Sequence, residues 1–502
     1  MKQTINIEKR FIKLLSVIIV LTILTTIIGS CASKEVTSEK KDTPLNILLL
    51  TLDDMNYGHT GVEGCTVPDI TPNIDKLASE GMLFTHGYVM SPKCGPSRNA
   101  ILSGRYPHCN GIMGHGEQPP PNWQQPEIVT PTISKYLHDL GYTTGAILKN
   151  RRHKQFNVWD VAYQDLSFGT GYHDRNPESF YERTKAFIAS AAKQKKPFFL
   201  YANPIDPHRP WPDTDQEKEY LARWNPDKPY PKPSRRYNAN EVEVPNFLPD
   251  LPDIRKNLIP YYESLHRGDE CIGGILKALE ESGMEDNTLV VFLSDHGMAV
   301  IGAKGTLYYD GIRTPIILKW PDKIKEGVVD DESIVSSIDL VPTILDAIGL
   351  PGIEGIEGKS FYDVIIGKSK ISNRKYAYCA YNYFLDSTPK EFLPSRGIID
   401  KEFCYIWNSY VIRSDGKQIF KRYWMDVVQS SLNIENISFS KKINSIIYKD
   451  IEELFDLTND PGCWNNLADS TEYSDVLSKY RNRLLNEMTL TADPELPIFT
   501  FN

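Results

Sequence analysis

The 502 residues carry 56 Lys plus Arg against 65 Asp plus Glu; a net charge of −9 excludes a chain that binds nucleic acid through a general basic surface. With 41% apolar and 24% charged residues the composition is that of a globular protein and excludes wholesale disorder, and eight Cys are too few for a disulfide scaffold. The length sets a soft prior of about three domains.

In chain order, the first feature is an apolar segment over 14–28, behind Lys2, Lys9, Arg10 and Lys13. It is short for a membrane span and suits the apolar region of a signal peptide. It ends in Ile28-Gly29-Ser30-Cys31, which resembles the lipobox of bacterial lipoproteins. That resemblance implies a leader over 1–30, a lipid on Cys31, a tether over 31–43 and a place on the bacterial cell envelope, anchored in the membrane by lipid.

Beyond the tether, apolar runs at 45–52, 144–148, 197–202 and 289–293 alternate with helical patterns, the sequence form of a parallel sheet with crossover helices. Thr71-Pro72 opens one helix and Gly81 closes it; another runs over 132–140 to Gly141. Ligands of such sheets gather past the carboxyl ends of the strands. From 209 to 252 the pattern dissolves into Pro, Trp, Tyr and charge, as expected of an ordered insertion beside a site. Helical periodicity resumes over 254–281, with a break expected near Pro260. Past Phe361 shorter aromatic strands are expected at 375–383 and 403–412, then a last helix over 473–488, which reads as a smaller C-terminal α+β domain.

Asp53 and Asp54 follow the first strand, and Ser294-Asp295-His296-Gly297 follows the fourth. A bare Asp-Asp is more often a solvated turn, but three carboxylates on one rim favour a hard cation, Ca²⁺ or Mg²⁺ before Zn²⁺. Between them stands Cys94-Gly95-Pro96-Ser97-Arg98, continued by Leu102-Ser103-Gly104-Arg105. Pro96 fits the first turn of a helix that Gly104 closes, so residue 94 sits where free backbone N–H groups favour an anion.

Cys-x-Pro-Ser-Arg followed by Leu-Ser-Gly-Arg resembles the signature of the formylglycine-dependent sulfatases, whose Cys is oxidised to an aldehyde by a maturation enzyme. The likeness covers most of 44–350 and returns in Glu453-Leu454-Phe455-Asp456-Leu457 with Asp460-Pro461. It implies an alkaline-phosphatase-like α/β fold: a mixed, mostly parallel sheet sandwiched by helices over 44–368, and a smaller α+β domain with an antiparallel sheet over 369–502. It places Asp53, Asp54, Asp295, His296 and residue 94 at the Ca²⁺ ion, with Asn commoner in the family where His296 stands. Cys94 becomes the formylglycine, and Arg98 holds its hydrate. Lys149, after Gly141-Tyr142-Thr143-Thr144, and Lys304, nine residues before Arg313, match the sulfate-binding lysines. His208, in Asp206-Pro207-His208-Arg209-Pro210, matches the family's Pro-His-x-Pro histidine.

One departure stands out. Two residues after Lys149 the family usually has His, and here there is Arg151, with His153 two further on. Either His153 reaches that spot or Arg151 serves as an anion contact; a solvated loop over 151–154 is the bland alternative. His115 is a candidate for the substrate pocket. Lys93, Arg105, Arg152 and Lys154 add to the expected local positive field. The remaining Cys65, Cys109, Cys271, Cys379, Cys404 and Cys463 read as free thiols.

Within the family, Asn110-Gly111-Ile112-Met113-Gly114, Asp206 to Arg209 and Val244-Pro245-Asn246-Phe247-Leu248-Pro249-Asp250 look like the N-sulfoglucosamine sulfohydrolases, the heparan sulfamidases. The implied reaction is attack on sulfur by one hydroxyl of the hydrated aldehyde, protonation of the leaving group by His208 or His153, and expulsion of sulfate through the second hydroxyl. The expected substrate is a sulfated oligosaccharide, with an N-sulfated glucosamine end favoured. Two rival readings stand beside this one: a phosphodiesterase or phosphonate monoester hydrolase of the alkaline phosphatase superfamily, and an inactive glycan-binding surface lipoprotein.

Overall fold

The computed structural model describes residues 44–114, 131–149, 157–163, 175–224, 229–383, 392–413 and 437–499. Leu45–Asn502 form one unit. The runs read as strands are unbroken apolar stretches rather than alternating ones, so both faces must be covered. Accordingly β1 (Asn46–Leu52), β3 (Thr143–Ile147), β5 (Phe198–Ala202) and β6 (Thr288–Ser294) are buried along their whole length. With β2 (Met82–Tyr88), β4 (Val161–Tyr163), β7 (Arg313–Lys319) and β8 (Val328–Ser336) they form an eight-stranded sheet ordered β4-β3-β5-β1-β6-β7-β2-β8. Only β7 runs antiparallel to its neighbours.

Register decides what the rim presents. Leu50 lies opposite Ala202, Ile147 opposite Ala202, and Leu52 opposite Ser294. The residues just past β1, β3, β5 and β6 therefore emerge side by side.

Two expectations need correction. The helix Pro252–Glu281 runs uninterrupted through Pro260. Leu258, Tyr261, Tyr262 and Leu265, all buried, anchor the turns around the proline, and their packing outweighs the lost backbone bond. Gly274 lets this helix approach the helix Pro177–Gln194, because a Cβ there would lie 2.6 Å from Pro177 O. The strand expected over 403–412 stops at Trp407 and a helix Ser409–Arg413 follows. Asn408 turns the chain, its amide donating to Asp450 O at 2.9 Å and Glu453 Oε2 at 2.8 Å. The Pro-rich insertion also holds a helix, Asp215–Trp224.

The second sheet is antiparallel, ordered β12-β11-β10-β9 from β9 (Ala377–Tyr383), β10 (Phe392–Ile399), β11 (Phe403–Trp407) and β12 (Glu452–Asp456), and the helix Ser474–Leu490 packs beside it. It braces the loop before Cys94 through Ala380 N–H to Met90 O at 2.9 Å. All seven described cysteines are free, and Cys65 is the half-buried one. Among the described residues no helix is long and apolar enough to cross a membrane. The leader, the tether and Cys31 lie outside the described residues.

His59 is buried against Tyr261 and Tyr262, its Nδ1 3.0 Å from Tyr261 OH. Burial pushes its imidazole down to about 3. The folded value lies below the unfolded one, so this stability is complete above the unfolded value and drains as pH falls toward the folded one. Acidification from pH 7 to 5 should cost about 2 kcal/mol at this residue. Urea titrations of the wild type and His59→Gln at both pH values check this; an equal loss in the two proteins would refute it.

Candidate active site

The rim gathers side chains from elements far apart in sequence. Asp53 and Asp54 leave β1, Asp295 and His296 leave β6, and Lys149 follows β3. The ten-residue helix Cys94–Ser103 starts at Cys94 and ends at Gly104, whose φ of 66° suits a residue without a side chain. Its first residue points at the rim: Cys94 Sγ donates to Asp53 Oδ1 at 3.5 Å and lies 3.1 Å from His296 Nε2.

Arg98, one turn on, donates through Nε to Asp295 Oδ2 at 3.0 Å and lies 3.6 Å from Asp53 Oδ2 through Nη2. Lys304 donates to Asp54 Oδ1 at 2.5 Å, and Lys149 pairs with Asp53. His208 Nε2 lies 4.0 Å from Asp54 Oδ2, and its Nδ1 sits 2.5 Å from Arg209 O. A carbonyl oxygen can only accept, so Nδ1 carries the proton and donates to it, which leaves Nε2 facing the carboxylate. Beneath this loop Asp206 is clamped by Arg175 and by Arg267, whose Nε is 2.6 Å from Oδ2.

The electrostatics of the cluster are unusual. Burial works against ionising Asp53, yet Lys149, His208, Arg98 and Lys304 outweigh it and hold its carboxyl well below the usual range. Burial pushes Asp54 up to about 6, Lys304 opposing and Asp53 adding to the rise. Burial and then Asp53 push the Cys94 thiol up to about 12. His208 is held well below its ordinary value by burial, then by Lys304 and Lys149.

Could these residues hold a cation? Ligand atoms of Asp53, Cys94, Asp295 and His296 all lie within 4.8 Å of one another, as do those of Asp53, Asp54, Cys94 and His208. Asp53 Oδ2 meets the Lys149 ammonium, whereas the buried Oδ2 of Asp54 has no hydrogen-bond donor, a costly state for a buried oxygen. Crowded carboxylates with unused lone pairs suit a hard divalent ion.

Nine of the residues singled out in the sequence thus converge: Asp53, Asp54, Cys94, Arg98, Lys149, His208, Asp295, His296 and Lys304. His115, Arg151 and His153, with Arg152 and Lys154, lie outside the described residues. Arg105 is a correction, since it reaches Glu357 at 3.1 Å instead of joining the cluster. Sequence reasoning missed Thr51, Tyr201 and Asn203, which receive or share Arg98 Nη1 at 2.5, 3.0 and 2.7 Å. Asn203 follows directly on a strand read from the sequence, so the rule about strand ends pointed to it.

Fold and rim together define a class: hydrolases of anionic esters working at the carboxyl edge of a mostly parallel sheet. The sulfatase family pattern matches residues 45–350, and the chain belongs to that family, the hydrolases of sulfuric esters. The C-terminal pattern of N-sulphoglucosamine sulphohydrolase matches 301–447. An ulvan-active sulfatase of Formosa agariphila is 26% identical over 89% of this chain and 75% of its own. Human N-sulphoglucosamine sulphohydrolase is 25% identical over 94% of this chain and 93% of its own. Among solved structures, BT4656 in complex with its substrate D-glucosamine-2-N,6-O-disulfate has a TM-score of 0.63 at 20% identity, covering 90% of this chain and 99% of that one. The phosphonate monoester hydrolase of Agrobacterium radiobacter has 0.60 at 17%, covering 89% and 96%. The fold is the alkaline-phosphatase-like sulfatase fold, as the sequence resemblance implied.

Proposed function

We propose that this sulfatase removes sulfate from the end of a sulfated glycan, with residue 94 as formylglycine and Ca²⁺ beside it, in polysaccharide degradation at the bacterial envelope. The observation that carries this reading is the first residue of the helix Cys94–Ser103, set between Asp53 and His296 with two lysines on the same carboxylate cluster. A thiol raised to about 12 is protonated at neutral pH and a poor nucleophile, which suits a position that works only after oxidation by a maturation enzyme. Formylglycine, once hydrated by one water, would supply two hydroxyls on one carbon, one to bond sulfur and one to give up a proton. Ca²⁺ would be held by Asp53, Asp54, Asp295, His296 and residue 94, and supplies Lewis acidity.

The chain's own residues do the rest. Arg98 keeps Asp295 and Asp53 in place and presents its charge to residue 94. Lys149 and Lys304 screen the sulfate oxygens, each worth about 3 to 4 kcal/mol in the transition state. An anion between Lys149 and Lys304 offsets the charges that, with burial, keep the His208 ring neutral, so that the ring takes up a second proton at Nε2 and passes it to the leaving group.

The names of the relatives, which point to ulvan and N-sulphoglucosamine, and the glucosamine disulfate of the solved complex support a glycan, with an N-sulfated glucosamine end favoured. The leader and Cys31 support a lipid anchor on the envelope. The gap between β8, ending at Ser336, and β9, starting at Ala377, supports a boundary at 368/369. Sulfate release by ion chromatography from defined heparin, chondroitin and algal oligosaccharides tests the reading, with the N-sulfated glucosamine end expected to turn over fastest. The structural likeness to a phosphonate monoester hydrolase favours one rival. Matched aryl sulfate and aryl phosphonate esters separate the two, and faster phosphonate cleavage would displace the sulfatase assignment of the site.

A further inference from the structure

Lys149 is held in an awkward conformation. It and Leu148 have φ of 46° and 65°, left-handed values that side-chain-bearing residues seldom adopt. Such backbone is costly for a residue with a side chain, so neighbouring contacts must fix the turn. Asn203 supplies them. Its Nδ2 donates to Ile147 O at 3.1 Å and Leu148 O at 3.2 Å, and its backbone N–H donates to Ile147 O at 3.0 Å.

The other end of the same amide faces the nucleophile helix. Asn203 Oδ1 accepts from Arg98 Nη1 at 2.7 Å and from Thr51 Oγ1 at 2.5 Å. Its side chain is fully buried, between β3 and the helix Cys94–Ser103. One amide therefore ties the turn that carries Lys149 to the guanidinium that holds Asp295 and Asp53.

We infer that Asn203 is a positioning residue, which sets the Lys149 ammonium against residue 94 by pinning the Leu148–Lys149 turn while its oxygen registers Arg98. This rests on the assignment of Lys149 to the sulfate oxygens. The two ends of the amide do different work, and only an amide has both a two-proton donor and a strong acceptor in that space. A carboxylate keeps the acceptor for Arg98 and turns an oxygen toward the carbonyls of Ile147 and Leu148, which releases the turn alone.

The test is a double-mutant cycle on the formylglycine-bearing enzyme. Asn203→Asp should lower kcat/KM by about 30- to 100-fold, the scale of a 1 Å misplacement. Lys149→Ala should lower it by about 100- to 1000-fold. In the Lys149→Ala background, Asn203→Asp should add less than about threefold, because it acts through the side chain already removed. Asn203→Ser, too short to span both partners, should show a loss similar to that of the Asp variant, likewise abolished in the Lys149→Ala background, and keeps the test open should the Asp variant fold poorly. Multiplying losses in an active wild type would overturn this inference alone. A wild type with no sulfate release, or a Lys149→Ala variant with full activity, would overturn the reading on which it rests.

Discussion

Cys94→Ala should lower sulfate release by about 10⁴-fold or more, the scale seen when a nucleophile is removed, and leave the melting temperature nearly unchanged. The side chain is small and buried, and its polar contacts, to Asp53 Oδ1 at 3.5 Å and His296 Nε2 at 3.1 Å, are the weak ones of a thiol. Cys94→Ser should fare little better, because a hydroxyl there cannot form the two-hydroxyl carbon the reaction needs. Mass spectrometry of the peptide spanning residue 94 gives an independent readout: loss of the thiol mass and gain of an aldehyde in active protein. An unmodified peptide in fully active enzyme would refute the formylglycine assignment, and substantial activity in Cys94→Ala would refute the site.

The second large effect belongs to Asp53→Asn, a change of charge with almost no change of shape. Asp53 is wholly buried and faces Lys149, Arg98 and Cys94 at once. Neutralising it removes a candidate cation ligand and leaves two cations short of a partner. Breaking a buried pair from one side costs about 3 to 5 kcal/mol, more than the 0 to 1 kcal/mol of an exposed one, so stability as well as activity should fall. Wild type should gain about 4 kcal/mol when Ca²⁺ is raised to a thousand times its dissociation constant, and Asp53→Asn should lose most of that gain. Thermal melts with and without Ca²⁺ decide it. A variant that keeps both the Ca²⁺-linked gain and turnover would show that the cation is held elsewhere.

Much of this site was legible before any coordinates. The apolar runs at 45–52 and 289–293 appear as β1 and β6, and Asp53, Asp54 and Asp295 after them stand where a parallel sheet exposes its strand ends. Pro96 in its first turn and Gly104 at its end marked the helix Cys94–Ser103, because both act through local backbone geometry. The misreadings arose where distant packing overrode local preference. Pro260 did not break its helix, since buried Tyr261, Tyr262 and Leu265 hold it together. Arg105 left the cationic field for Glu357, a partner 252 positions away along the chain.

By itself the sequence determined the apolar runs that become β1, β3, β5 and β6, the acidic and cationic residues available, and the family likeness carried by residues 94–107. Only the tertiary structure decided which charges meet. Lys304 reaches Asp54 across 250 positions, and Asn203 joins the Leu148–Lys149 turn to Arg98. Propensity and periodicity are written over a few neighbouring residues, whereas contact and electrostatics depend on distance in space, which the register of the sheet sets.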